Sequence, residues 1–342
     1  MKTTIYEKTE LLPELPPETG YFHSRELMAL CEKTARQHPY MAVVTDDDGR
    51  TLSCLLAIER SRRSWIPPYL YKHVRILGEG AYREQEHTEK EDVATTETDT
   101  PASANLSKNA LFTMMIEALT QRLGSRVLFM EVSHLDHKMF GYAALRASGF
   151  FPVKWMSIHN SLHSRTPEER ISPRMLKRIN NALSHGIATK EVENDDEFKA
   201  FMRLLRHHHW LKPRRYVSDS QFFLGLMAQK RCTLFITQYN RHVIGCSCLV
   251  YAEGDSYLWY SASRRKSFAT LHPNAVTFWN TILYAHKKGC QHIRFMDVGL
   301  PFRRNPYRDF ILSFGGKEVS TFRWFRISIK WMNKLASWLW RE

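Results

Sequence analysis

Asp297 stands where the apolar run "QHIRFMDV" ends, just before Gly299 and a loop in which Pro301 and Pro306 bracket Arg303 and Arg304. A carboxylate at the C-terminal end of a strand lies where ligands collect in open α/β sheets, and it suits taking a proton from an amine. The same residue also suits capping the turn that follows. Tyr307 carries a hydroxyl able to donate to a carbonyl oxygen or leaving group, or an amphipathic ring that simply packs. Arg303 and Arg304, on a loop stiffened by its prolines, suit phosphate contact or plain solvation.

Other clusters carry charge at useful spacing. Arg174, Lys177 and Arg178 fall at i, i+3 and i+4 and so share one helix face, either as a solvated basic surface or as contacts for phosphate or carboxylate. Arg264, Arg265 and Lys266 follow "YLWYSA", in which Tyr260 lines a cleft or pairs across strands. "RILGEG", from Arg75 to Gly80, matches a short phosphate-cradle string, yet an acidic segment follows where a helix should begin. Cys246 and Cys248 share a strand face, but no second pair has ligand spacing, so burial is expected rather than zinc. Consecutive histidines, His207 to His209, point in different directions on a helix, and no metal site is expected there.

The formal charge is +14, and residues 301–342 hold nine Lys/Arg against three Asp/Glu. That bias implies an anionic partner: a phosphate-bearing small molecule, nucleic acid or anionic lipid. The first twenty residues hold no apolar signal core, and no run of about 18 apolar residues exists to span a membrane. A cytoplasmic protein with six reduced cysteines is the expectation, with peripheral contact at the inner face of the plasma membrane an added one.

Helical and strand periodicities organise the rest. The segment 83–107 is acidic, Thr-rich and poor in large apolar residues, so a mobile insertion is expected. Around it, each half runs helix, antiparallel strands, helix, strand, helix, strand. The expected division is 1–165, 166–326 and a C-terminal amphipathic helix over 327–342. On that helix Lys330, Asn333, Lys334, Ser337 and Arg341 oppose Ile327, Trp331, Leu335, Trp338 and Leu339. It suits either an anionic membrane plane or docking onto the body of the protein.

This doubled order resembles the tandem acetyltransferase-type (GNAT) fold of the Fem peptidyltransferases and their acyltransferase relatives. The local match is His272-Pro273-Asn274 at a helix start, Gly289 at its end, Asp297 to Gly299, Tyr307 and Phe314-Gly315. The resemblance implies an α/β (α+β) fold of two GNAT-like domains, each a mixed, mostly antiparallel sheet flanked by helices. It implies acyl transfer to an amine, with Asp297 and Tyr307 as catalytic candidates. Arg174, Arg178, Tyr260, Arg264, Asn274, Arg303, Arg304 and Phe310 become candidates for holding donor or substrate. No metal is called for. The relatives carry a lysine directly after the phenylalanine matched by Phe310, and here Ile311 stands in its place. Arg308, Arg303 or Arg304 are the cations nearest in sequence to replace it.

The function expected is transfer of an acyl or aminoacyl group from a thioester such as acyl-CoA to an amine of an envelope precursor, lipid or peptidoglycan-type acceptor. An aminoacyl-tRNA-dependent Fem-type reaction is the alternative donor chemistry, disfavoured because no long helical hairpin is visible in the sequence. A degenerate, non-catalytic module binding anionic membrane or nucleic acid is the competing class, although no helix-turn-helix, zinc finger or aromatic single-strand platform appears.

Overall fold

Turn and cap chemistry sets the element boundaries. Ser24 accepts a hydrogen bond from the Leu27 amide and starts a helix, and Ser172 does the same for Met175. The hairpin turn Asn240–Arg241 has both residues at positive φ (47° and 65°), and Glu253–Gly254 repeats this at 47° and 77°. That is the two-residue geometry whose twist matches antiparallel strands.

The structure, a computed structural model, describes residues 1–63, 69–83, 107–133, 140–209, 216–296, 298–301 and 304–340. Of the expected insertion, all but Arg83 and Ser107 lies outside the described residues. The first half runs β1 (Lys2–Tyr6), α1 (Arg25–Lys33), β2 (Gln37–Thr45), β3 (Thr51–Arg63), β4 (Leu70–Leu77), β5 (Ala81–Tyr82), α2 (Lys108–Leu123), β6 (Phe129–Ser133), α3 (Tyr142–Ala147) and β7 (Phe151–Ser161). The second runs α4 (Pro167–Arg170), α5 (Pro173–Ser184), β8 (Ala188–Glu191), α6 (Asp195–His209), α7 (Ser220–Ala228), β9 (Cys232–Tyr239), β10 (His242–Ala252), β11 (Asp255–Ser263), α8 (Pro273–Lys287), β12 (His292–Phe295), α9 (Pro306–Leu312), β13 (Lys317–Ile327) and α10 (Lys330–Leu339).

The strands form one continuous sheet in the order β1-β2-β3-β4-β6-β13-β7-β12-β11-β10-β9-β8, with β5 against β3. Only β4/β6 and β11/β12 pair in parallel. The two halves are mirror-ordered and joined at their last strands, which are exchanged. β7, from the first half, pairs with β12 of the second, while β13 pairs with β6 of the first. β7 and β13 then pair with each other, from Lys317↔His159 to Phe325↔Phe151. The expected mixed, mostly antiparallel α/β sheets are present, fused edge to edge.

Both faces are covered. On one, α1 packs beside α6 and α7 over a core shared by the halves, with Leu27, Cys31, Phe201, Phe223, Cys246, Cys248 and Trp259. On the other, α2 and α3 cover the first half around Phe112, Met115 and Trp324, and α5, α8 and α9 cover the second around Ile179, Phe278 and Phe314. Cys246 and Cys248 are fully buried in the shared core, and all six cysteines are free. Among the described residues no group of three His, Cys, Asp or Glu can hold a metal, and no helix is long and apolar enough to cross a membrane.

Candidate active site

The parallel pair β11/β12 is pinned at one end. At the start of β11, the Asp255 carboxylate accepts from Arg294 Nε at 2.6 Å and lies 2.9 Å from His292 Nδ1. The ladder then runs Ser256↔Ile293, Tyr257↔Arg294 and Leu258↔Phe295, where it stops. Among the described residues β11 then continues to Ser263 on β10, and Cys248 faces Tyr260 while Leu249 faces Leu258, so Trp259 is an extra, bulged residue. A bulge bends its strand and re-aims its side chains. Here it comes where the described β11/β12 pairing ends, at the C-terminal ends of the two parallel strands.

Several of the sequence candidates sit on α5, on α8 or on the segments that follow β11 and β12. α8 starts at Pro273, after His272 in a left-handed conformation (φ 42°) that gives no side-chain cap; the Ala275 and Val276 amides donate to His272 O, and Asn274 is half-buried in the first turn. Burial, then the charge of Arg178, lowers the pKa of His272. Arg178 is half-buried; Arg174, Arg264 and Arg304 are exposed. Asn305 caps α9, accepting from the amides of Tyr307 and Arg308 at 3.2 Å and donating to Val298 O at 3.1 Å, which ties the loop to the end of β12. Tyr307 is 37% exposed, with its ring edge against Phe278 at 6.4 Å. Asp297 and Arg303 lie outside the described residues.

Two candidates are engaged in packing. The Phe310 ring sits edge-on to Phe278 (5.0 Å) and Phe314 (5.1 Å) in the apolar core. Tyr260 is buried on the opposite face of the sheet, its hydroxyl donating to Tyr216 O at 2.9 Å and its ring 5.5 Å from Phe223. Ile311 is fully buried, so a lysine there would place an ammonium in the core at high cost. Arg308, a candidate to replace it, is also buried and pairs with Glu318 at 2.9 Å.

On the Tyr260 face, polar side chains gather that no sequence motif flags. Arg60 of β3 pairs in register with His73 of β4, and Ile58 with Arg75, so Arg60, His73 and Arg75 project together. Arg75 lies in register with Glu131 of β6, and Arg323 of β13 with Ser133. Arg323 donates to Glu131 at 3.1 Å and to the carbonyl of Met296, just past β12, at 2.5 Å. Its guanidinium also lies 4.0 Å over the Trp155 ring. The first half thereby reaches the end of the β11/β12 pairing. Burial pushes the Glu131 carboxyl up, but Arg75, Arg323, the Ser133 hydroxyl and His73 outweigh it and hold it at about 2. The sequence signal for this cluster is a lone charge in an otherwise apolar strand, as in "HVRIL" and "VLFMEV".

The "RILGEG" loop does not offer its amides as a cradle. The Gly78 amide donates to Ser133 O at 2.8 Å, extending the β4/β6 ladder, and the Gly80 amide faces His23 Nε2 at 3.1 Å. Both glycine amides of this loop are therefore taken up within the fold.

Residues 173–304 match the family model described as the acetyltransferase (GNAT) domain. The chain is similar in structure to FemX (12% identity, covering 93% of this chain and 94% of that one, TM-score 0.57). It is also similar to L-PGS from Bacillus licheniformis (11%, 92% and 92%, 0.53) and to a tandem GNAT protein from the clavulanic acid biosynthesis pathway (9%, 96% and 99%, 0.52). No curated protein matches the sequence. The fold is a tandem GNAT fold, and the stretch from α5 to the loop after β12 is the part that the acetyltransferase (GNAT) domain model matches.

Proposed function

We propose that the protein is an acyltransferase that moves an acyl group from a thioester donor such as acyl-CoA to an amine, directly and without a covalent enzyme intermediate. The observation that carries this reading is the end of the described β11/β12 pairing at Leu258/Phe295, with the bulge at Trp259, inside the family-matched region. A thioester arm laid beside β11 at that point bonds to its backbone as an extra strand would. Its phosphates then meet the N-terminal end of α8, with Asn274, Arg264, Arg178 and Arg174 around them.

In the reaction, Asp297 takes a proton from the acceptor ammonium and the neutral amine attacks the carbonyl carbon. The tetrahedral oxyanion collapses, the carbon–sulfur bond breaks, and the thiolate leaves, taking up a proton. We assign Tyr307 as donor to the oxyanion or the departing sulfur. The acceptor we assign is an amine of an envelope precursor or lipid presented at an anionic surface, which the exposed apolar face of α10 and the basic C-terminal region support.

The test is direct. Purified protein is incubated with radiolabelled acyl-CoA, and separately with charged tRNA, each with a lysate amine pool. Label appearing in an amide product from acyl-CoA is the expected result. Label arriving from charged tRNA alone replaces the donor. Transfer from neither, alongside salt-dependent binding to vesicles or nucleic acid, sinks the enzyme reading.

A further inference from the structure

Arg60 is 5% exposed, yet no described carboxylate lies within ion-pair distance of it. Its guanidinium lies 5.0 Å over the Tyr216 ring, and its Nε is buried without a hydrogen-bond partner among the described residues. Beside it, His73 is 7% exposed with Nδ1 likewise unpartnered. Arg75 has an unpartnered Nε too, 3.9 Å from Glu131, a carboxylate that also takes a hydrogen bond from Arg323 and another from Ser133. Three adjacent side chains on neighbouring strands thus each hold a buried nitrogen that bonds to nothing described.

A buried guanidinium without a counter-ion is strongly unfavourable, and one aromatic face replaces little of the water it has lost. Lone buried polar groups of this kind call for a missing partner. Glu131 is shared between Arg75 and Arg323 and leaves Arg60 uncompensated. The other nearby carboxylate, Glu59, alternates to the opposite face of β3 and pairs with Lys72 at 2.8 Å. What would satisfy all three nitrogens at once is a group with several acceptor oxygens and negative charge.

We propose that Arg60, His73 and Arg75 form a binding site for an oxyanion of the phosphoryl or carboxylate type, carried by the acceptor molecule. Naming the acceptor as carrier rests on the acyltransferase reading; the site itself does not. Arginine forks present two parallel donors to such oxygens. Neutral His73 adds a directed third, and Tyr216 walls the site. The location fits the acceptor. The cluster faces Tyr260 and, through Arg323 and Met296, borders the end of the β11/β12 pairing on the side opposite α8 and α9. Donor phosphates on the α8 side and an acceptor anion on this side would bring the two substrates together from opposite faces of the sheet.

Binding is measured on the full chain by thermal shift and calorimetry, with inorganic phosphate and with acetate as separate probes at ionic strength fixed by chloride. At least one probe is expected to raise the wild-type melting temperature saturably, and which one does so identifies the oxyanion. Arg60→Gln is expected to melt at or above wild type without the probe, because an uncompensated charge is gone. It should also bind the effective probe at least about tenfold more weakly. Arg75→Gln should show the same weakening, and it serves if Arg60→Gln does not fold. A wild-type protein indifferent to both probes overturns the site. So does an Arg60→Gln protein that is less stable but responds to the probe as wild type does, since Arg60 would then be only a packing partner of Tyr216. Neither result depends on acyl transfer, so a failed transfer assay and a failed site remain distinguishable.

Discussion

Tyr307 and Asn305 show how one local device positions a proposed catalytic side chain. The Asn305 carboxamide accepts from two amides of α9 and donates to the Val298 carbonyl, so the first turn of the helix is fixed to the end of β12. The ring of Tyr307 leans on Phe278 and stays 37% exposed. Tyr307→Phe is therefore expected to leave the melting temperature unchanged while lowering kcat about tenfold to a hundredfold, the worth of a hydrogen bond to developing charge. Asp297→Asn should lower kcat by roughly 10²–10⁴-fold, as loss of a general base does. Full rates in both variants would remove the pair from the mechanism. Acid stability is a second residue-scale matter. Burial, then Arg60, lowers the His73 pKa from 6.5 to about 3; Arg75 and Arg62 act the same way and Glu131 opposes them. The unfolded chain then binds a proton that the folded one refuses, so stability falls as pH drops from 6.5 towards 3. Glu131, held at about 2 against an ordinary 4.5, adds a loss between pH 4.5 and 2. Each group contributes a slope of up to about 1.4 kcal/mol per pH unit within its window. His73→Gln should flatten the limb between pH 6.5 and 4.5 in urea titrations; an unaltered slope there refutes the assignment. The sequence marked Tyr307 because a family motif surrounds it. It could not mark Arg60 and His73, because only strand register shows that residues 13 positions apart share one spot.

At the scale of elements, β13 does the joining. It comes last among the strands, but its residues complete the first half: Trp324 is 2% exposed in the core under α2 and α3. Arg326 reaches the carbonyls of Ser148 and Gly124 at the ends of α3 and α2. Trp324→Ala is expected to cost about 3–5 kcal/mol by urea denaturation, with the loss felt in the first half although the residue belongs to the second. The entry to β13 is equally constrained. Gly315 and Gly316 both have φ of 99°, and a Cβ on Gly316 would fall 2.8 Å from Ile158 Cγ2 and 2.9 Å from His159 O. Gly316→Ala should destabilise by about 1–3 kcal/mol through strain and displacement of β7, which a unchanged denaturation midpoint would contradict. Periodicity made the longer strands readable, including "FFPVKWMSIHNSL" and "EVSTFRWFRI", but not the short β1, β5 and β8. The exchange was not readable. Both strands alternate in the same way, and nothing in the alternation says which half a strand will join. Likewise α7, with large apolar residues all round in "FFLGLM", reads as an apolar run without the amphipathic stripe that marks a surface helix.

For the whole molecule, the unbalanced charge and the C-terminal helix point the same way. α10 holds to the body by its polar side: Asn333 accepts from the Ile327 amide at 2.8 Å and donates to Gly149 O at 2.9 Å. Its apolar side is left outward, with Trp331 66%, Trp338 65%, Leu339 64% and Leu335 49% exposed. Of the two outcomes open from sequence, docking of the apolar face onto the protein is the one the structure does not adopt. Two tryptophans and two leucines side by side, flanked by exposed Lys330 and Lys334, have the composition of a helix lying in a lipid interface. Insertion would remove the apolar patch from water, and each lysine near an anionic surface would add about 1 kcal/mol. The protein is therefore expected to sediment with vesicles containing phosphatidylglycerol at low salt, weakly with neutral phosphatidylcholine vesicles, and less as ionic strength rises. Its tryptophan emission should shift to the blue on binding. The double variant Trp331→Ser, Trp338→Ser should stay folded, since neither ring is buried, and should lose most of that binding. If it sediments as wild type does, the attachment is through general surface charge, and α10 presents its apolar face to something other than lipid.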